Sequence, residues 1–196
     1  MQVAVVDYKG GNVQSVLFAL ERLGVSATLT ADPAALHRAD RVLFPGEGEA
    51  SSAMQALRES GLDTVLPTLT QPFLGICLGM QLLGERSAEG GGTALLGLLP
   101  FEVGRFVPAP GVKVPHMGWN TLHNVQSPLF EGLEAEAHVY FVHSYAAPVG
   151  AYTIAEARHP APFSAAVQHG NFYGVQFHVE KSGPAGTRIL QNFLNL

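Results

Sequence analysis

The chain holds one cysteine, and its neighbours are small in a telling pattern. Gly75-Ile76-Cys77-Leu78-Gly79 puts a glycine two residues before and two residues after a thiol. Residues 72–76 form an apolar run, and a helix through Leu82 and Leu83 is expected to follow. A nucleophile between a buried strand and a helix sits on a strained turn, where only small flanking residues fit. Such a turn lifts the thiol out of the sheet to a helix N-terminus, where free N–H groups and the macrodipole favour the thiolate. This pattern points to acyl transfer through a cysteine nucleophile; a buried structural cysteine is the alternative.

Acyl transfer to a thiolate needs a base that later protonates the leaving amine. Of the eight histidines, His178 is the best placed. Gly174-Val175-Gln176-Phe177-His178-Val179-Glu180 reads as an apolar strand ending in polar residues. Along an extended chain, residues i and i+2 face the same way, so Glu180 can orient His178. A solvated His–Glu pair is the competing reading, which the apolar Phe177 and Val179 disfavour. His37, His123, His159 and His169 lie in polar or proline-rich stretches and read as solvated. The oxyanion formed during attack needs backbone donors. Leu78 supplies one N–H, and Phe44-Pro45-Gly46-Glu47-Gly48 is the expected source of another, since glycine allows close backbone approach. An ordinary Pro-Gly turn would look the same.

The elements that must position these groups alternate in the first half. Val3 to Val6 is a continuous apolar run, as in a strand covered on both faces. Asn12 reads as the cap of a helix carrying Val16, Leu17, Ala19, Leu20 and Leu23, which Gly24 ends. Residues 27–30 and 41–44 read as strands, and Ser51 or Ser52 as the cap of a helix through Met54 and Leu57. Strand and helix in turn imply right-handed crossovers and a parallel sheet.

The second half is different. Residues 89–92 read as a glycine-rich loop and 115–118 as an exposed loop. Short strands are expected at 101–106, 139–142, 152–157, 165–168 and 173–177, punctuated by prolines such as Pro108, Pro110, Pro115 and Pro128. A last helix is expected at 185–194. The expected fold is a single α/β domain over residues 1–196. It is a three-layer sandwich with a mostly parallel central sheet and a late antiparallel extension.

Composition excludes other classes. At 196 residues and 47% hydrophobic, the chain can bury a sizeable core. A single cysteine excludes an internal disulfide and a cysteine zinc site. A net charge of -5 with 11 scattered basic residues argues against nucleic acid. No window approaches the roughly 18 apolar residues of a membrane span. The start, Met1-Gln2-Val3-Ala4-Val5-Val6-Asp7, lacks a secretory leader, so a cytoplasmic location is expected. No cofactor and no metal are expected.

Taken together, the three segments resemble the class I, triad-type glutamine amidotransferases, which have a flavodoxin-like glutaminase fold. The resemblance rests on Pro45-Gly46-x-Gly48, Gly75 to Gln81, and Gln176-Phe177-His178-Val179-Glu180-Lys181-Ser182. Asp7-Tyr8-x-x-Gly11-Asn12, Val114-Pro115-His116-Met117-Gly118-Trp119-Asn120 and Phe141-Val142-His143-Ser144-Tyr145 are similar to one branch, the glutaminase subunits of imidazole glycerol phosphate synthase. The resemblance implies hydrolysis of glutamine to glutamate and ammonia, with Cys77, His178 and Glu180 as the triad. It implies Gly46 and Leu78 as oxyanion donors. It also implies that Gly48, Gln81, Glu89, Ser144 and Tyr145 hold the glutamine head group. Glu47 stands where the family often has an apolar residue, and it is expected to point to solvent.

The family also implies a partner, a (β/α)₈-barrel cyclase that accepts the ammonia and switches the glutaminase on. Tyr8, Asn12, Met117, Trp119, Asn120 and Lys181 are the implied interface residues. The competing functions are the glutaminase of another synthase, such as the pyridoxal phosphate one, a stand-alone cysteine hydrolase, and a non-enzymatic binding module.

Overall fold

The computed structural model describes residues 1–108 and 111–196, so Pro110 lies outside the described residues. The first half runs β1 (Val3–Val6), α1 (Val13–Arg22), β2 (Ala27–Thr30), α2 (Pro33–Arg38) and β3 (Arg41–Gly46). It continues through α3 (Ala50–Ser60), α4 (Leu62–Val65), β4 (Phe73–Cys77) and α5 (Leu78–Gln81). Then come β5 (Arg86–Ser87), β6 (Thr93–Ala94) and β7 (Glu102–Arg105). The remaining elements are β8 (His116–Thr121), β9 (His138–His143), β10 (Tyr145–Ala146), β11 (Thr153–Arg158), β12 (Pro162–His169), β13 (Phe172–Val175) and α6 (Gly183–Asn195).

The main sheet has the order β11-β12-β13-β4-β3-β1-β2 among the described residues. It is parallel from β13 to β2, while β11, β12 and β13 pair antiparallel. This is the expected parallel sheet with a late antiparallel extension. A smaller sheet, β10-β7-β5-β6, and the antiparallel β8–β9 hairpin flank it. Every residue of β1 and β4 is buried, which explains their unbroken apolar runs. Adjacent residues face opposite layers. Val5, Leu43 and Ile76 join a core with Ile189, Leu190 and Phe193 of α6, whereas Val6, Phe44 and Phe73 join one with Leu36, Met54 and Leu57.

Several local expectations need correction. α5 stops after Gln81 instead of running through Leu82 and Leu83. The carbonyls of Leu82, Leu83 and Gly84 accept hydrogen bonds from Leu96, Leu98 and Gly97 at 2.7–3.0 Å. Those carbonyls are claimed by a neighbouring chain segment. Asn12 stands before α1, but its Oδ1 accepts from the Ser15 hydroxyl at 3.0 Å rather than capping the backbone. α3 begins at Ala50, ahead of both serines, and the distant Glu89 carboxylate accepts the Ala50 N–H at 2.8 Å. α2 was missed by the helical pattern because it is short. Asp32 caps it, accepting from Ala34 and Ala35, and Pro33 opens it.

Two corrections bear on the site. Residues 116–121 form strand β8, not an exposed loop, because each pairs with a residue of β9, from His116 against His143 to Thr121 against His138. β13 ends at Val175, so Phe177 lies beyond the strand, and residues 89–91 and 179–181 each form a single 3₁₀ turn.

Candidate active site

Cys77 ends β4 with φ 55° and ψ -111°, a region that L-residues rarely occupy. The strain is held by backbone packing on both sides. A side chain at Gly75 would place its first carbon 2.6 Å from the Gly79 carbonyl oxygen. One at Gly79 would overlap the carbonyl oxygen of Phe44, and one at Gly46 would lie 2.6 Å from the Gly79 nitrogen. β3 and β4 pair Gly46 directly with Cys77, so the turn nests against the end of β3. The single turn of α5 leaves only a short dipole behind the thiol. The free N–H groups of its first residues are the more local influence.

His178 reaches the same place from just beyond the end of β13, the strand next to β4. Its backbone N–H donates to Tyr140 at 2.9 Å. The buried Ser182 hydroxyl donates to the His178 carbonyl at 2.7 Å and accepts from the Tyr140 N–H at 3.0 Å. These bonds pin the turn to β9. His178 Nδ1 lies 2.8 Å from Glu180 Oε1, and both side chains are buried. The expected pairing holds, but a 3₁₀ turn makes it rather than an extended strand. Burial pulls the His178 pKa down, yet Cys77 and Glu180 outweigh it and push the value up to about 10. Glu180 Oε2 has no hydrogen-bond partner among the described residues, so the His178 ring at Oε1 is what offsets burial of the carboxylate.

Cys77, Leu78 and His178 line a cleft of about 420 Å³. Gly48, Gln81, Glu89, Ser144 and Tyr145 line it too, so the expected substrate residues converge there. Glu47 is exposed, as expected, and it lines the cleft together with the exposed Lys181. Gly46 lies beneath the turn rather than in the cleft wall. Gln81 is buried and donates to the Tyr145 carbonyl and to Gln176 Oε1, both at 2.9 Å. Gln176 Nε2 then donates to Cys77 Sγ at 3.8 Å. No metal-binding cluster of His, Cys, Asp or Glu occurs among the described residues.

The implied interface residues are less uniform. Met117 and Trp119 are 64% and 57% exposed on one face of β8, which rules out core packing for the tryptophan. Lys181 is exposed and Asn12 half-buried. Asn120 instead turns inward, bonding His116 and the Arg158 carbonyl. Tyr8 is buried edge-on against Phe44, and burial raises its pKa to about 12. His159 is half-buried and stacked on His116 with ring centroids 4.2 Å apart, rather than solvated.

Sequence reasoning missed roles for Gln176, Ser182 and His143. The i, i+2 relation between Gln176 and His178 was a usable signal for the first. The other two depend on hydrogen bonds across the fold.

The class-I glutamine amidotransferase family matches residues 4–196. The imidazole glycerol phosphate synthase subunit HisH of Bacteroides fragilis is 52% identical over 197 residues, covering all of both chains. The subunit of the same name from Vibrio cholerae is 49% identical over 200 residues, covering 99% of this chain and 98% of that protein. The fold is similar to that of a chain in the solved structure of PurLQS from Thermotoga maritima. The TM-score is 0.71 at 18% identity, covering 99% of this chain and 97% of that one. No helix among the described residues is long and apolar enough to cross a membrane. The chain belongs to the class-I glutamine amidotransferases, in the branch of the imidazole glycerol phosphate synthase glutaminase subunits.

Proposed function

We propose that the chain hydrolyses glutamine to glutamate and ammonia for imidazole glycerol phosphate synthesis in histidine biosynthesis. The observation that carries this reading is Cys77 on its strained turn sharing one cleft with the buried His178–Glu180 pair. His178 takes the thiol proton, and Glu180 stabilises the resulting imidazolium. The thiolate attacks the side-chain amide carbon of glutamine. The Leu78 N–H, in the cleft wall, stabilises the oxyanion, and Gly46, beneath the turn, supports that donor from behind. His178 returns the proton to the departing nitrogen as ammonia leaves, and Cys77 keeps a γ-glutamyl thioester. His178 then deprotonates a water, which displaces the thiol and releases glutamate. Glu89, Gln81, Gly48 and the Ser144-Tyr145 strip hold the head group.

The ammonia acceptor is a (β/α)₈-barrel cyclase that docks as a heterodimer and produces imidazole glycerol phosphate and AICAR. Exposed Met117 and Trp119, with Lys181 and Asn12, supply the docking face, since a projecting tryptophan is a favoured interface anchor. The chain acts as one domain in the cytoplasm.

The test is a glutaminase assay with and without the cyclase and its nucleotide ligand. Wild type is expected to turn over strongly only in the complex. Cys77→Ala is expected to lose activity by on the order of 10⁴-fold while still binding the cyclase. Normal turnover by that variant would refute the assignment. Full turnover by the wild type alone favours a stand-alone hydrolase.

A further inference from the structure

Beside the cleft, and reaching its wall at His143, lies a buried group of rings that the reaction above does not use. His116 and His143 are 6% and 7% exposed, and they pack against Phe106, Phe141 and Phe163. His116 Nδ1 lies 3.0 Å from His143 Nε2. At one end, His116 Nε2 faces the Asn120 amide at 3.1 Å. At the other, His143 Nδ1 faces the Tyr145 carbonyl at 2.8 Å.

Both ends fix the direction of the bonds. Asn120 Nδ2 also donates to the Arg158 carbonyl at 2.9 Å while its Oδ1 accepts from the Thr121 N–H at 2.8 Å, so the amide is oriented with its nitrogen toward His116. A carbonyl can only accept. His116 therefore accepts at Nε2 and donates from Nδ1, and His143 does the same. Each ring must be neutral for this order to hold. Burial drives both pKa values down, His143 to about 3 and His116 to about 4.

The chain of bonds ends at the cleft. The Tyr145 carbonyl accepts from His143 on one side and from Gln81 on the other, which occupies both lone pairs. Gln81 also reaches Gln176, which donates to Cys77. The far end begins on the inward side of β8, the strand whose outward side carries Met117 and Trp119.

We propose that His116 and His143 are positioning residues, whose directed hydrogen bonds from Asn120 hold the Tyr145 carbonyl and with it the strip that receives glutamine. The proposal rests on the reading that glutamine binds along Ser144-Tyr145. A packing role alone would need only ring volume, which phenylalanine supplies.

The experiment is steady-state glutaminase kinetics of the full chain in complex with the cyclase, with L-glutamine varied. His143→Phe keeps the ring among Phe106, Phe141 and Phe163 and removes both nitrogens. KM is expected to rise about tenfold and kcat to change less than about threefold, as for loss of one substrate-orienting bond. His143→Asn returns an N–H donor to the Tyr145 carbonyl and is expected to recover part of that KM. His116→Phe should raise KM in the same direction, and it replaces the first variant should that one not fold. Phenylalanine variants with wild-type KM overturn the proposal, as does a fall in kcat at unchanged KM, or an asparagine variant worse than phenylalanine. Wild type and Cys77→Ala are run alongside. An inactive wild-type complex, or an active Cys77→Ala complex, defeats the functional reading instead.

Discussion

Cys77 and His178 face one cleft but are held there by different means. The cysteine sits on a turn made of contacts between neighbouring backbone segments. Gly75, Gly79 and Gly46 leave room for these contacts, most of which are to backbone, with Leu78 Cβ and the Phe44 ring beside them. The histidine sits on a short turn beyond β13, fastened to β9 through Ser182 and Tyr140, some 40 residues earlier in the chain. The cysteine's position is thus a matter of steric exclusion in a buried sheet, which is stiff and intolerant. The histidine's position is a matter of a few hydrogen bonds, each of modest net strength. The first arrangement fails by unfolding the region. The second fails by misplacing one ring.

This contrast can be broken at its stiff end first. Gly79→Ala forces a carbon into the Phe44 carbonyl, so stability is expected to fall by on the order of 3 kcal/mol or more. Urea unfolding of the variant measures it, and a loss below about 1 kcal/mol would show that the turn can yield. Ser182→Ala tests the other side. It leaves the Tyr140 N–H without its partner, and the expected cost is about 2 kcal/mol. Its kcat in the complex should fall by about tenfold or more because His178 is no longer pinned. An unchanged kcat at reduced stability would place the turn's rigidity elsewhere.

The smallest expected effect is one of pH. His143 has its pKa lowered in the fold to about 3, so the unfolded chain binds its proton first as pH drops below about 6.5. Its contribution to stability is therefore present at neutral pH and lost on acidification. Between pH 7 and 5.5 the wild type should lose about 1 kcal/mol more than His143→Phe in matched denaturant titrations. His178 is shifted the other way, so its contribution persists at low pH and fades only as pH rises toward about 10. Parallel curves for the two proteins would mean that His143 is not held neutral.

The parallel half of the fold was readable because its strands are buried on both faces and its motif is steric. An apolar run such as Val3 to Val6, or glycines around a thiol, admits few arrangements. The second half was less readable. β8 mixes histidine, glycine and asparagine with exposed Met117 and Trp119, and it has no clean alternation to mark it as a strand. Its pairing with β9 decides it. α5 likewise carries helix-forming residues past Gln81, but the loop at residues 96–98 takes up the carbonyls that a longer helix would use.

By itself the sequence determined the candidate nucleophile, its candidate base and orienter, the parallel sheet beneath them and the family to which the chain belongs. These follow from residue types at short spacing, where sterics and local hydrogen bonding leave little choice. Only the tertiary structure decided that a 3₁₀ turn, fastened by Ser182, presents His178. It also decided that Tyr8 and Asn120 face inward while Met117 and Trp119 face out. And it decided that two buried histidines, hydrogen-bonded in series, stand beside the Ser144-Tyr145 strip. Those features join residues tens of positions apart, and no local pattern encodes a hydrogen bond whose partner arrives from another strand.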